Sequence, residues 1–101
     1  MKQWSNDHVS RIASRARALG EPTRLRILSV LSRGEQPVGH IASALNTEQS
    51  TISKHLQVLF HAGLVQRRRS ASAVIYSISS PELLKWIQFL GARTLTGKRS
   101  T

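Results

Sequence analysis

The stretch that decides the fold of this chain is NTEQSTISKHLQVLFHAG, residues 46–63. At 100° per residue, Leu56 and Leu59 fall within about 40° of Ile52, so one side of the stretch is apolar. The opposite side is polar and carries Ser50, Ser53, Lys54, Gln57 and His61. No carboxylate stands on that side. The stretch therefore predicts a helix with one face for the core and one face for an anionic partner.

The ends of this helix are predicted from the residues that flank it. Asn46 or Thr47 can accept hydrogen bonds from the free backbone N–H groups at the start of a helix that runs from about residue 48 to residue 62. Gly63 can take the left-handed conformation that ends such a helix.

Three more helices are predicted upstream. The first runs from Ser5 to Leu19 and has a narrow apolar stripe on an otherwise basic surface. The second opens with Pro22, which suits a first helical position, and stops before Gly34. Its apolar residues recur at helical spacing, so we expect it to be the buried central helix. The third is short and follows Pro37.

Downstream, the hydrophobic period changes from that of a helix to that of a strand. Residues 64–79 read LVQRRRSASAVIYSIS and predict a β-hairpin. Pro81 then begins a last helix, whose wide apolar stripe indicates burial against a second subunit. We expect residues 1–93 to form one domain and residues 94–101 to be a flexible basic tail.

The composition restricts the possible functions. With 15 Lys plus Arg and 5 Asp plus Glu among 101 residues, the formal charge is +10 at pH 7. Nucleic acid is the commonest partner of so basic a chain, and an anionic membrane is the weaker alternative. The absence of cysteine excludes disulfides, thiolate metal sites and a cysteine nucleophile. The sequence contains neither a catalytic Ser, His and Asp set nor a phosphate-cradling glycine loop, so nothing in it indicates an enzyme.

The sequence also carries no membrane signal. No apolar run is long enough to span a bilayer, and the first residues contain no apolar signal segment. We therefore expect a cytoplasmic protein that binds no membrane.

Four motifs carry a family resemblance. They read LGEPTRLRIL at residues 19–28, TISKHL at 51–56, AGLV at 62–65 and IYSI at 75–78. In this order and spacing they resemble the ArsR/SmtB family of dimeric bacterial winged-helix repressors. The resemblance implies a mainly α, winged helix-turn-helix fold with five helices and a β-hairpin wing, in the order ααααββα. The helix over residues 48–62 then corresponds to the recognition helix.

The recognition helix carries side chains suited to the major groove of B-DNA, which an α-helix fits. Short side chains at Ser50 and Ser53 allow close approach. Gln49 and Gln57 can both donate and accept at base edges, and Lys54 can meet a base or a phosphate. Resemblance to the family implies DNA contact at four of these positions, namely Gln49, Ser50, Ser53 and Lys54. The alternative is an ordinary solvated helix face.

Four further residues are candidates for contact with the DNA backbone. His55 lies at the edge of the apolar side, so it either packs against the core or hydrogen-bonds a phosphate. Arg67, Arg68 and Arg69 precede the tip of the wing, where they would attract flanking phosphates without reading sequence. Because strand residues alternate, at most two of the three can point toward DNA. The family turn has glycine where Ala71 stands, so we expect another turn type or a mobile tip.

Dimerisation is predicted to use the first and last helices. The residues expected at this interface are Val9, Ile12, Ala16, Leu83, Trp86, Ile87 and Leu90. A dimer would present two recognition helices about one DNA turn apart, roughly 34 to 36 Å, to a twofold-symmetric operator. The main hypothesis is a homodimeric, sequence-specific transcriptional regulator that acts as a repressor on double-stranded DNA. The alternative is a nucleoid-type protein that coats DNA through charge alone.

A metal sensor is not predicted. Many members of the family release DNA when metal binds, but here the Cys-x-Cys element of one family site corresponds to Pro37 and Gly39, and the last helix contains neither Asp nor His. Asp7 and His8 could approach His40 or a second subunit to form an unusual nitrogen and oxygen site. Isolated surface histidines are the favoured interpretation. The residues identify no cofactor and no effector.

Overall fold

A computed structural model describes residues 3–93. These residues form, in chain order, α1 (Asn6–Leu19), α2 (Pro22–Leu31), β1 (Gln36–Pro37), α3 (Val38–Leu45), α4 (Gln49–His61), β2 (Val65–Ser70), β3 (Ala73–Ile78) and α5 (Pro81–Leu90). The predicted winged helix-turn-helix, with five helices and a hairpin wing made of β2 and β3, is confirmed. The predicted tail over residues 94–101 lies outside the described residues. None of the described helices has the length and apolar character that crossing a bilayer requires.

The hydrophobic core lies where α2, α3 and α4 meet. Its six fully buried large side chains are Ile27, Leu28, Ile41, Ile52, Leu56 and Leu59. The predictions that α2 is the central helix and that α4 turns its Ile52 side inward are confirmed. Tyr76 of β3 is also buried and packs the sheet against this core.

The sheet contains a strand that the sequence did not predict. β1 pairs antiparallel with β3 through Gln36 opposite Tyr76 and Pro37 opposite Ile75, and the strand order is β1-β3-β2. A strand of two residues is too short to show an alternating pattern, and proline donates no ladder hydrogen bond. β1 ties the start of α3 to the wing.

The predicted cap of α4 is wrong. Asn46 instead ends α3, with a left-handed φ of 51°, and the Thr47 hydroxyl donates to the carbonyl of Leu45 at 3.0 Å. Glu48 occupies the N-cap position of α4 without a side-chain hydrogen bond. Because the turn has so few residues, the one that tolerates positive φ is used to end the earlier helix. Gly63, with a φ of 79°, follows α4 as predicted.

The wing closes through a tight turn at Ala71 and Ser72. Ser70 pairs with Ala73 across the hairpin, so only two residues connect the strands. Ala71 has a φ of 53°, the left-handed region that normally favours glycine. Ala71 thus adopts the positive φ that an alanine disfavours, because a two-residue connection leaves the backbone little choice, and a different turn type or a mobile tip stays a prediction.

Candidate nucleic-acid interface

The outward face of α4, which we define as Gln49, Ser50, Ser53, Lys54 and Gln57, is available to a ligand. Ser53 is half-buried and the other four residues are exposed. Within residues 3–93, none of the five side chains hydrogen-bonds to another protein group. The face therefore presents hydroxyl, amide and ammonium groups whose hydrogen-bonding capacity is unused.

His55 belongs to a polar network at the edge of the core. Its Nδ1 lies 3.3 Å from Nη1 of Arg24 and 4.0 Å from Oε1 of Glu21. Since a guanidinium only donates, Nδ1 of the neutral ring accepts this hydrogen bond and Nε2 carries the hydrogen. Arg24 also donates to the carbonyls of Ala18 at 2.7 Å and Arg17 at 3.4 Å. The network fixes α4 against the junction of α1 and α2, and contact between His55 and DNA stays a prediction.

The Glu21 carboxylate caps α2 within this network. It accepts a hydrogen bond from the backbone N–H of Arg24 at 3.0 Å. This bond is the main reason that the pKa of Glu21 lies below its ordinary value of 4.5, and the positive charge of Arg24 lowers the pKa further. Negative charge at a helix N-terminus is favourable. Glu21 is thus held in its ionised form.

The three wing arginines occupy three different environments. The guanidinium carbon of Arg67 lies 3.8 Å from the centre of the Phe60 ring, a cation–π contact with α4. Arg68 donates two hydrogen bonds to Glu35, at 3.1 and 2.8 Å. Arg69 is exposed and makes no side-chain hydrogen bond or ion pair with any residue that the structure describes. Arg69 is therefore the wing arginine that is free to meet a phosphate.

Alternation along β2 separates Arg68 from its two neighbours. The cross-strand pairs are Arg67 with Tyr76, Arg68 with Ile75 and Arg69 with Val74. Because successive pairs lie on opposite faces of a sheet, Arg67 and Arg69 share one face and Arg68 lies on the other. Two of the three arginines thus share a face, as the alternation predicts.

Glu35 is a residue that the sequence analysis missed. Its hydrogen bonds with Arg68 lower the pKa of Glu35 and raise the pKa of Arg68. The two residues stand 33 positions apart, so no local pattern could have paired them. Both side chains are largely exposed, and such pairs add little to stability. The contact matters here because it occupies one of the wing's three cations.

The predicted dimer residues lie on an apolar surface that the chain leaves uncovered. α5 has no fully buried residue; Trp86 is 64% exposed, Leu90 50% and Val9 47%. Leu83 and Ile87 are half-buried against the core. A groove of about 650 Å³ runs between α1 and α5, and Ile12, Ala16, Leu83, Trp86 and Leu90 are in its lining. Val9 and Ile87 do not line this groove.

The structure brings no metal-ligand set together. No group of three or more His, Asp or Glu side chains placed to hold a metal ion occurs in residues 3–93. The His8 ring packs edge-on against Trp4, and Nδ1 of His40 lies 3.4 Å from Oε1 of Gln36. The two histidines are thus engaged in separate local contacts.

Comparisons with known proteins show what this chain is similar to. The family model described as bacterial regulatory protein, arsR family, matches residues 21–67. The chain is 39% identical over 74 residues to the transcriptional activator HlyU of Vibrio cholerae, covering 73% of this chain and 68% of HlyU. It is 32% identical over 84 residues to the biofilm growth-associated repressor of Agrobacterium fabrum, covering 83% of this chain and 72% of the repressor.

A solved structure supports the same assignment. The solution structure of a homodimeric winged helix-turn-helix DNA-binding domain from Mycobacterium bovis, a possible ArsR-family transcriptional regulator, has a TM-score of 0.79 and 31% identity and covers 89% of each chain. The matches cover only 58 to 60% of three Mycobacterium tuberculosis relatives, which extend beyond them. With family model, sequence relatives and fold in agreement, this chain belongs to the ArsR family of bacterial transcriptional regulators.

Proposed function

We propose that this chain is a homodimeric, sequence-specific DNA-binding regulator that represses transcription at a twofold-symmetric operator. One observation carries the proposal: the outward face of α4 is polar, free of carboxylates and unpaired within the described chain. An unpaired, carboxylate-free face is what docking against a polyanion requires.

The outward face of α4 is suited to reading base edges in the major groove. Gln49 and Gln57 offer the paired donor and acceptor that match adenine N6 and N7, and Lys54 can donate to guanine. Ser50 and Ser53 are short enough to let the helix axis approach the base pairs. Gln49, Ser50 and Ser53 are proposed to supply the sequence preference, whereas Lys54 and Gln57 also line the space between α4 and α1.

The wing is proposed to supply backbone contact. Arg69 is free, and Arg67 is held beside α4 by its stacking on Phe60. Arg68 is occupied by Glu35, so it is the weakest of the three candidates for a phosphate contact. Contacts of this kind position a protein on DNA without reading sequence.

The second copy is proposed to cover the groove between α1 and α5. Burying large apolar side chains such as Trp86 and Phe89 lowers the free energy of the protein, and none of the described residues of one subunit covers them. The Mycobacterium bovis domain is homodimeric and shares this fold. A twofold axis through the groove would pair α1 and α5 with their copies and direct both α4 helices to one side of the duplex.

Repression is the proposed direction of regulation. It requires only that the dimer occupy DNA that RNA polymerase needs, and the α4, wing and dimer surfaces suffice for that. Of the two sequence relatives described above, one is a repressor and one an activator. If this protein represses, expression of an operator-linked reporter should rise when the protein is removed, and a fall would contradict repression while leaving DNA binding intact.

Fluorescence anisotropy on the DNA upstream of the protein's own gene, against a random duplex, tests the proposal. The wild type should prefer its site by at least about a thousandfold. Gln49→Ala or Ser53→Ala should reduce that preference about tenfold or more while leaving the random duplex unaffected. Arg69→Ala should weaken binding to both duplexes equally and make the salt dependence shallower by about one charge.

A nucleoid-type protein is the second candidate, favoured by the net charge of +10. Such a protein would bind the two duplexes alike. Equal losses on both duplexes for every variant above would support this candidate and contradict base reading by α4.

A further inference from the structure

A solvent-open cavity of about 480 Å³ lies between α1 and the outward face of α4, apart from the groove between α1 and α5. Its polar lining consists of Ser14, Arg17, Arg24, Lys54, Gln57 and His61. No carboxylate lines it. The cavity therefore has the polarity of an anion site, although the sequence analysis assigned no role to Ser14 or Arg17.

The basic side chains of this cavity differ in what they can still bind. Arg24 already uses three of its five N–H donors, on two carbonyls of α1 and on His55, so its guanidinium is held in place. The Nδ1–H of His61 donates to the backbone carbonyl of Gln57 at 2.8 Å, so this nitrogen is already engaged. The side chains of Arg17 and Lys54 make no hydrogen bond or ion pair within residues 3–93. Two free cationic donors thus stand on opposite walls, one on α1 and one on α4.

The cavity and the wing lie on opposite flanks of the outward face of α4. Measured from Ile52 at 100° per residue, that face spans about 60° to 200°, with Phe60 at about 80°, toward one edge, and Val58 at about 240°, beyond the other. Phe60 meets Arg67 of the wing, whereas Val58 lines the cavity. Cationic groups therefore bracket the base-reading face on both sides.

We propose that this cavity binds a DNA backbone phosphate on the flank of α4 opposite the wing, held by Arg17 and Lys54. A helix in the major groove has a phosphate backbone on each side of it. The wing contacts one phosphate backbone, and Arg17 contacts the other. The Ser14 hydroxyl and the Gln57 amide add neutral donors at the same place. This inference rests on the proposed function and extends the interface onto α1.

The test compares Arg17→Gln with Arg26→Gln, which removes the same charge. Arg26 is exposed on α2 and lines a different surface groove, with Pro22 and Leu25. Arg17→Gln should weaken binding to operator and random duplex alike, by about tenfold, because a charge-assisted hydrogen bond is lost. Its salt dependence should become shallower by about 0.9 in log–log slope. Arg26→Gln should change affinity less than about threefold, and Arg17→Lys should keep the slope.

Each outcome decides the inference separately from the proposed function. If Arg17→Gln behaves like Arg26→Gln while wild type still prefers its operator, the phosphate site is overturned and the regulator stands. A second arm titrates inorganic phosphate into DNA-free protein and follows amide NMR signals of Ser14 and Arg17. Phosphate binding that Arg17→Gln abolishes, with DNA affinity unchanged, would assign the site to a free phosphate compound and overturn the DNA assignment. Failure of the wild type to bind any DNA would contradict the proposed function and, with it, the phosphate site.

Discussion

α4 and α5 are both amphipathic helices, yet only α4 buries its apolar face within the residues that the structure describes. In α4, Ile52, Leu56 and Leu59 are all 0% exposed. α5 has the more apolar sequence, PELLKWIQFL, but not one of its residues is buried, and Phe89 is 58% exposed. Periodic apolar residues thus mark a face that is to be buried, without saying which chain buries it.

The contrast separates two kinds of stability in this protein. Burial of the α4 face stabilises a single subunit, because its partners α2 and α3 belong to the same chain. The exposed side chains of α5, among them Trp86 and Phe89, are expected to be buried only in the dimer proposed above. Unfolding of the subunit and dissociation of the dimer should therefore respond to different substitutions.

The largest effect is expected from Leu56→Ala. Removing a fully buried leucine leaves a cavity and should lower the free energy of unfolding by about 2 to 5 kcal/mol, measured by urea denaturation. Val58→Ala is the matched control, since Val58 stands on the same helix with 41% exposure and should cost much less. Equal losses for the two variants would contradict the assignment of α4 to the core.

Trp86→Ala tests the role of α5 and should weaken the dimer. Loss of a large aromatic side chain from the centre of an interface typically costs about 2 kcal/mol or more, roughly a thirtyfold weaker dimer. Sedimentation equilibrium should show dissociation while far-UV circular dichroism retains the helices of the subunit. Lys85→Ala, on the same helix, is the control. Unchanged association of the Trp86 variant would place the interface elsewhere.

Acid should destabilise the subunit through the cap of α2. Because the pKa of Glu21 is lowered from its ordinary 4.5, its stabilising effect is complete above that value and is lost as the pH falls through the lower folded pKa. Urea midpoints measured between about pH 3 and pH 7 should fall less steeply on acidification for Glu21→Gln than for wild type. An unchanged pH dependence would show that the cap contributes nothing.

The corresponding cap of α5 provides the contrast. A hydrogen bond with the Ser80 hydroxyl lowers the pKa of Glu82. Since α5 has no buried residue, Glu82→Gln should alter the pH dependence of dimer dissociation more than that of subunit unfolding. Sedimentation at the same pH values separates the two effects.

The smallest effect is expected from Ala71→Gly, which touches neither helix. Glycine relieves the steric cost of φ 53° and should raise the free energy of unfolding by at most about 1 kcal/mol. Ala73→Gly, in an ordinary strand position, should lower it by a similar amount. A thermal melt compares the two, and destabilisation by both would contradict the strained turn.

Much of this fold is predictable because its signals are local. The apolar stripe of α4, the alternation in the wing and Pro22 at the start of α2 each depend on a few neighbouring residues. β1 was missed because Gln36 and Pro37 alone carry no period. The role of Asn46 was missed because a capping residue between two helices can serve either.

The candidate site is less predictable because its free groups depend on distant partners. Arg67, Arg68 and Arg69 are the same residue three times in sequence, and only the fold shows which one meets Phe60 and which one meets Glu35. The cavity beside Arg17 likewise exists only because α1 packs against α4. Residue types indicate that DNA is bound, whereas tertiary contacts decide which cations remain free.

Selection of duplexes from a random pool by the purified protein tests the central claim most directly. If two subunits joined through α1 and α5 each place α4 in the major groove, the selected sites should be inverted repeats with half-site centres about 10 to 10.5 base pairs apart. Two subunits should bind each duplex. A pool that stays random, or a consensus without twofold symmetry bound by one subunit, would contradict the account.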